Sequence, residues 1–115
     1  MQLAAAEFDA LVGDALDRLP APLAALMDNV VVLVEDEPSS GEEDLLGLYV
    51  GTPLTERGSD YTFRAPDQVL VFRGPLLRMC RDVEELAEEV EITVVHEIAH
   101  HFGIDDDQLH QWGWS

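Results

Sequence analysis

The sequence predicts a single α+β domain, in which an N-terminal helix and a C-terminal helix flank a small mixed sheet of three to four strands. Three observations favour this class. The chain has 115 residues, of which 47% are hydrophobic and 26% are charged, as expected for one globular domain over residues 1–115. Apolar residues recur with helical spacing near both ends, and short β-branched runs lie between them.

The first predicted element is an amphipathic helix that serves as scaffold. Its apolar residues recur at intervals of three and four, which places them on one face of a helix. They are Phe8, Leu11, Val12, Ala15, Leu16 and Leu19. Pro20 and Pro22 end the pattern, because proline cannot continue a helix.

Three segments in the middle of the chain have strand character. Asn29–Asp36 is a β-branched run, Leu45–Val50 is a weaker candidate, and Gln68–Gly74 is a continuous apolar run. Glycine, proline and serine predict loops after the first two, with the sequences EDEPSSGEED and GTPLTERGSD.

The last long element is a predicted helix over Val83–Phe102. Asp82 and Glu85 have the spacing of a capping box at its start, and apolar residues keep the helical period along it. Gly103 stands where a helix commonly ends, because glycine adopts the left-handed conformation without a side-chain penalty.

This helix ends in HEIAHHFGIDDD, which predicts a metal site. His96 and His100 are one turn apart and about 40° apart in projection, so both imidazoles can reach one ion. Glu97 lies beside them, where a general base would take a proton from an activated water. Gly103 then lets the chain fold back, which brings Asp106 toward the same ion as a third ligand.

The neighbouring residues have competing interpretations. Asp105, with Gln108 three residues later, predicts the N-cap of a short final helix through His110, and Asp107 is expected to lie in solvent. His101 falls on the apolar stripe of the long helix, so it is expected in the core or as a hydrogen-bonding partner of a ligand. His110 is an alternative ligand if the C-terminal turn closes over the site.

The pattern His-Glu-x-x-His-x-x-Gly-x-x-Asp resembles the gluzincin and metzincin groups of zincin metallopeptidases. LLGLYVGTPLTERG, APDQVLVFRGPLL and HEIAHHFGIDDDQL, in this order, resemble a family of small bacterial zincin-like proteins described as minimal metallopeptidases. The resemblance covers about Leu45–Leu109 and implies a compact zincin-like fold with one zinc ion at His96, His100 and Asp106. Every methionine precedes the motif, so the methionine turn of metzincins is expected to be missing or built differently.

The leading functional hypothesis is a zinc metallopeptidase, a hydrolase in which Glu97 acts as general base. Imidazole and carboxylate donors suit Zn²⁺, although they also bind manganese, iron, cobalt or nickel. An exposed sheet edge at Val69–Phe72 could hold the substrate peptide by strand addition. The alternative is a zinc-stabilised binding or regulatory module without catalysis. A third hypothesis is a metal-free interaction protein.

The charge of the chain restricts its partners. There are 24 acidic and 6 basic side chains, and the formal charge of -18 repels nucleic acid and anionic membranes. Divalent cations and basic peptide or protein segments would be attracted instead, although strong acidity is more often a device for solubility. A lone cysteine, Cys80, together with the lack of a basic leader and of any run of about 20 apolar residues, predicts a cytoplasmic protein.

Overall fold

The computed structural model describes residues 1–39, 41–51 and 65–114. In chain order its elements are α1 (Ala5–Asp17), α2 (Ala21–Ala25), β1 (Val30–Glu35), β2 (Gly47–Val50), β3 (Asp67–Phe72), α3 (Arg73–Met79), α4 (Val83–His101) and α5 (Asp106–Gln111). Except for Gly51, the predicted loop GTPLTERGSD lies outside the described residues. The predicted α+β class is confirmed.

The described strands form one mixed three-stranded sheet in the order β1-β3-β2. β1 is parallel to β3, with Val30 opposite Asp67, and β2 is antiparallel to β3, with Gly47 opposite Val71. β3 therefore has a partner on both sides. The expectation that Val69–Phe72 is an exposed edge for strand addition is wrong, because its backbone groups are used within the sheet.

The hydrophobic core lies between one face of the sheet and the helices. α1 packs against α4 and buries the predicted residues Phe8, Val12 and Ala15. β3 contributes Val69 and Val71, which are fully buried. No helix within the described ranges is both long enough and apolar enough to cross a membrane.

Two short helices were not expected from the sequence, and proline is the reason in both cases. Pro22 lies in the first turn of α2, and Pro75 lies at the third position of α3, where it is buried. Proline is tolerated in the first helical turn because its missing N–H has no partner there. The strand predicted to reach Gly74 therefore ends at Phe72, and α3 begins at Arg73.

The long C-terminal helix has the predicted start and ends one residue before the predicted Phe102. The Asp82 side chain accepts a hydrogen bond from the Glu85 amide at 2.8 Å, as a capping box requires. The reciprocal bond differs, since the Glu85 carboxylate accepts from the Arg81 amide at 2.7 Å. The N-terminus of α4 is therefore capped at two backbone amides.

Candidate metal centre

The chain reverses direction after α4 through a glycine turn. Gly103 has a φ of +70°, a left-handed conformation that glycine adopts without strain. The Ile104 amide donates to the Ala99 carbonyl at 2.8 Å, and the Gly103 amide donates to the His100 carbonyl at 3.3 Å. These two bonds form a Schellman motif, which satisfies the last carbonyls of the helix and fixes the path of the next residues.

A second cap follows within two residues and starts α5. The Asp105 carboxylate accepts a hydrogen bond from the Gln108 amide at 2.9 Å, so the predicted N-cap is confirmed. Leu109 is 1% exposed and anchors α5 in the core. Asp106 is the first residue of this anchored helix, and its backbone position is therefore determined by its neighbours on both sides.

The motif residues line one cavity of about 380 Å³. Its walls are formed by His96, Glu97, Ala99, His100, Ile104, Asp106 and Leu109. His96, His100 and Asp106 are exposed, and within the described ranges no hydrogen bond or ion pair to their side chains is formed. Two imidazoles and a carboxylate with uncommitted donor atoms are a set that suits zinc.

The side chains do not converge on a point. Among residues 1–39, 41–51 and 65–114, no three His, Cys, Asp or Glu side chains are gathered closely enough to hold a metal ion. His96, His100 and Asp106 share a cavity, and their role as ligands stays a prediction. The types of donor atom are those that a zinc ion prefers.

Glu97 differs from the two histidines beside it, because it is half-buried and already has a partner. Its Oε1 accepts a hydrogen bond from the backbone amide of Tyr49 on β2 at 3.1 Å. Its Oε2 accepts no hydrogen bond from any residue that the structure describes. One carboxylate oxygen is therefore held by the sheet, and the same residue lines the cavity.

The remaining histidines lie elsewhere. His101 is exposed, so a core position is wrong, and among the described residues no hydrogen bond joins it to a proposed ligand. Its ring stacks on that of Tyr49 with centroids 3.7 Å apart and an interplanar angle of 11°. The stripe of α4 on which His101 lies meets the edge strand at this point, and Tyr49 contacts one face of the ring. His110 and Asp107 are exposed and are not among the residues that line the cavity.

The last described residues return toward the first histidine. Gly113 has a φ of +88°, and the Trp114 amide donates to the Leu109 carbonyl at 3.0 Å, which again forms a Schellman turn. The Trp114 ring meets the His96 ring edge to face, with centroids 5.6 Å apart. Trp114 thus packs against the core and contacts the His96 ring.

Two residues of β2 were missed by the sequence analysis. Tyr49 contacts both Glu97 and His101, and Gly47 lies against α4, where an added Cβ would be 2.5 Å from Cγ2 of Thr93. The available signal was the glycine itself. A glycine inside a strand often marks the close approach of another backbone or side chain.

The resolved pKa shifts lie away from the cavity. A hydrogen bond from Arg78 lowers the pKa of Glu37 on the surface. Burial raises the pKa of the Cys80 thiol to about 11, so this residue is a poor nucleophile and a poor metal ligand at neutral pH.

Comparison with known proteins identifies a family and a similar fold. A family model described as zincin-like metallopeptidase matches residues 27–114. Among solved structures, a conserved hypothetical protein from Thermus thermophilus is similar, with a TM-score of 0.59 and 23% identity over 87% of this chain and 94% of that chain. At this identity the likeness shows the fold. No curated protein matches the chain.

Proposed function

The chain belongs to the zincin-like metallopeptidase family, and from this premise we propose that it is a zinc-dependent peptidase. His96, His100 and Asp106 would hold the ion, and Glu97 would be the catalytic base. The family match extends beyond the predicted resemblance at both ends, from Leu45–Leu109 to residues 27–114. The motif therefore lies inside the segment that defines the family.

In the proposed reaction the zinc ion and the protein would have different chemical roles. A zinc ion in this cavity would supply Lewis-acid polarisation of the scissile carbonyl and lower the pKa of water. Glu97 takes a proton from water and returns it to the leaving amine. The proton acceptor is Oε2, the oxygen that accepts no hydrogen bond from a described residue. The Tyr49 amide keeps Oε1 in place during this transfer.

One observation carries this proposal. His96, Glu97, His100 and Asp106 line the same cavity although they come from two helices. Three ligands and a base are what a catalytic zinc site of this class requires, with one coordination position left for water. The shared cavity supports the proposal that Asp106 of α5 and the histidines of α4 act at one site.

Metal content tests the ligands. The untagged protein, loaded with zinc and then desalted, should contain close to one zinc ion per chain by elemental mass spectrometry. His96→Ala, His100→Ala and Asp106→Ala should each lose at least tenfold in zinc affinity, as expected when one of three ligands is removed. Asp107→Ala is the matched control and should bind zinc as the parent does. Equal losses from Asp106→Ala and Asp107→Ala would contradict the ligand assignment.

Hydrolysis of a peptide library tests the activity. We propose that basic peptides are preferred, because the four arginines of the described residues are all paired with carboxylates and the excess charge is negative. Those arginines are Arg18, Arg73, Arg78 and Arg81. Cleavage should stop in Glu97→Gln, while zinc binding remains. Cleavage that survives in Glu97→Gln would exclude Glu97 as the base.

A second candidate function is a zinc-stabilised binding module, and one contact favours it. A glutamate after the first histidine argues for catalysis only if it has no other role, and Glu97 has one because it bonds β2 to α4. Under this alternative Glu97→Gln changes no activity, since none exists, and the parent protein cleaves no member of the library. Zinc would still raise the melting temperature under both candidates.

A further inference from the structure

Tyr49 of β2 contacts α4 in two different ways. Its backbone amide donates to Oε1 of Glu97 at 3.1 Å, and its ring stacks on His101 at 3.7 Å. The Tyr49 hydroxyl also donates to Asp67 Oδ2 at 2.9 Å, which orients the ring from its far end. Tyr49 of the edge strand β2 thus contacts α4 at Glu97 and at His101, which precede and follow the proposed ligand His100.

The register of the sheet allows the Tyr49 amide to donate to Glu97. The Phe72 amide donates to the Leu46 carbonyl at 2.9 Å, and alternate residues of an antiparallel strand bond to the neighbouring strand. Leu48 is the next residue of β2 that faces β3, and it lies opposite Leu70. The N–H of Tyr49 therefore points away from β3, toward α4, where the Glu97 carboxylate accepts it.

The close approach of the strand depends on Gly47. A Cβ at this position would lie 2.5 Å from Thr93 Cγ2 and 3.3 Å from Glu97 Cγ. Atoms at the first distance overlap, so any side chain at residue 47 would move β2 away from α4. Gly47 and Tyr49 lie on the same face of the strand, two residues apart, and the glycine thus permits the hydrogen bond that the tyrosine makes.

We propose that Tyr49 is a positioning residue for Glu97. Its amide holds one carboxylate oxygen, its ring holds the strand against the end of α4, and Oε2 is thereby directed to the cavity. Hydrogen bonds to an ionised group are about twice as strong as neutral ones, so this bond restricts the carboxylate more than packing alone would. The inference rests on the proposed peptidase function, and it adds a residue outside the motif to the site.

The test separates the amide from the ring. Tyr49→Ala keeps the N–H and loses the stacked ring, whereas Tyr49→Pro loses both. Proline is acceptable here because β2 is an edge strand of the described sheet and this N–H is outside the ladder. We expect kcat of Tyr49→Pro to be roughly ten- to a hundredfold below that of Tyr49→Ala, the effect of one hydrogen bond to a charged group. KM and zinc content should be the same in both.

Leu48→Ala is the control on the same strand. Its side chain is 41% exposed on the opposite face, and kcat should stay at the parent value. Equal kcat values for Tyr49→Pro and Tyr49→Ala would overturn the proposal. So would a loss that appears in KM or in zinc content instead of kcat, because a general disturbance of the fold would act there.

A spectroscopic measurement distinguishes failure of this inference from failure of the proposed function. In ¹H–¹⁵N spectra of the zinc-free protein, the Tyr49 amide should shift upfield and exchange faster in Glu97→Ala. Glu97→Gln retains an oxygen acceptor and should resemble the parent. If the parent cleaves no peptide and the amide responds in this way, the positioning contact stands and the peptidase proposal fails. An unchanged Tyr49 amide in Glu97→Ala overturns the positioning role whatever the activity.

Discussion

The carboxylate of Glu97 has two roles that different substitutions separate. It lines the cavity, and it accepts the Tyr49 amide across 48 positions of the chain. A base needs an ionisable group, whereas an acceptor needs only an oxygen. Glutamine therefore removes the first role and keeps the second, and alanine removes both.

Unfolding measurements can detect the second role alone. We expect Glu97→Ala to lower the free energy of unfolding by about 1 kcal/mol, because a half-buried N–H loses its partner. Glu97→Gln should stay within about 0.5 kcal/mol of the parent, as for most changes that keep a contact. Urea denaturation with a chelator present measures both without a contribution from metal. Equal losses in the two variants would mean that the hydrogen bond contributes nothing to stability.

Cys80 gives a residue-scale prediction for alkaline pH. The thiol is 3% exposed, and burial raises its pKa from 9.0 to about 11. The folded pKa exceeds the unfolded one, so the contribution of Cys80 to stability is complete below pH 9 and declines as the pH rises toward 11. Because the folded and unfolded pKa values differ by about two units, the free energy of unfolding can fall by at most about 3 kcal/mol.

The measurement compares the parent with Cys80→Ala in urea from pH 8 to pH 10.5 under reducing conditions. The free energy of unfolding of the parent should fall more steeply than that of the variant above pH 9. In the folded parent at pH 8, reaction with a thiol reagent should be slow, because the thiol is buried and its raised pKa keeps it protonated. Parallel pH profiles for the two proteins would show that burial does not perturb this group.

At the scale of elements, the aspartate run is organised by helix capping. Asp105 caps α5, Leu109 anchors it, and Asp106 is held between them at the cavity. Loss of the cap in Asp105→Ala should cost about 1 kcal/mol of stability and should also weaken zinc binding, because the first turn of α5 frays. Urea unfolding and zinc titration measure the two effects.

Asp107→Ala provides the comparison for Asp105→Ala. Asp107 lies in the same first turn and accepts no hydrogen bond within the described chain, so its loss should cost only a few tenths of a kcal/mol through the helix dipole. Zinc affinity should not change. A variant of Asp105 that unfolds with the parent's stability but loses zinc would assign Asp105, not Asp106, to the metal.

Local spacing accounts for what the sequence predicted correctly. The start of α4, the glycine at its end and the cap at Asp105 each depend on residues within five positions of one another, and the structure has all three. The missed features are non-local or ambiguous in local terms. The contact between Tyr49 and Glu97 joins distant segments, and the proline of α3 indicates a loop and a first helical turn equally well.

The position of β3 shows the same limit. A continuous apolar run predicts a buried strand, and Val69, Val71 and Phe72 are buried. Which strand is central depends on pairing between segments, and nothing in the run of residues 68–74 distinguishes a central strand from an edge strand. The exposure of His101 is a similar case, because helical periodicity specifies a face and not the element that covers it.

At the scale of the whole molecule, the dominant feature is unbalanced charge. The chain carries 24 acidic and 6 basic side chains, and the four described arginines are already in ion pairs. The remaining carboxylates repel one another in the folded state, because the fold is small. Its radius of gyration is 14.9 Å. Unfolding separates them, so the repulsion lowers stability.

Salt should therefore stabilise this protein. At 10 mM ionic strength the screening length of about 30 Å exceeds the radius of the molecule, and at 150 mM it is about 8 Å, which leaves only near neighbours interacting. The melting temperature at pH 7 in chelator should rise by several degrees between these conditions, and sodium and choline chlorides should act alike. Near the isoelectric point of about 4.1 the net repulsion vanishes, and the salt effect should vanish with it. A melting temperature at pH 7 that does not change with salt would mean that the carboxylates are spaced widely enough for solvent to screen them. The proposed preference for basic substrates would then lose its electrostatic basis.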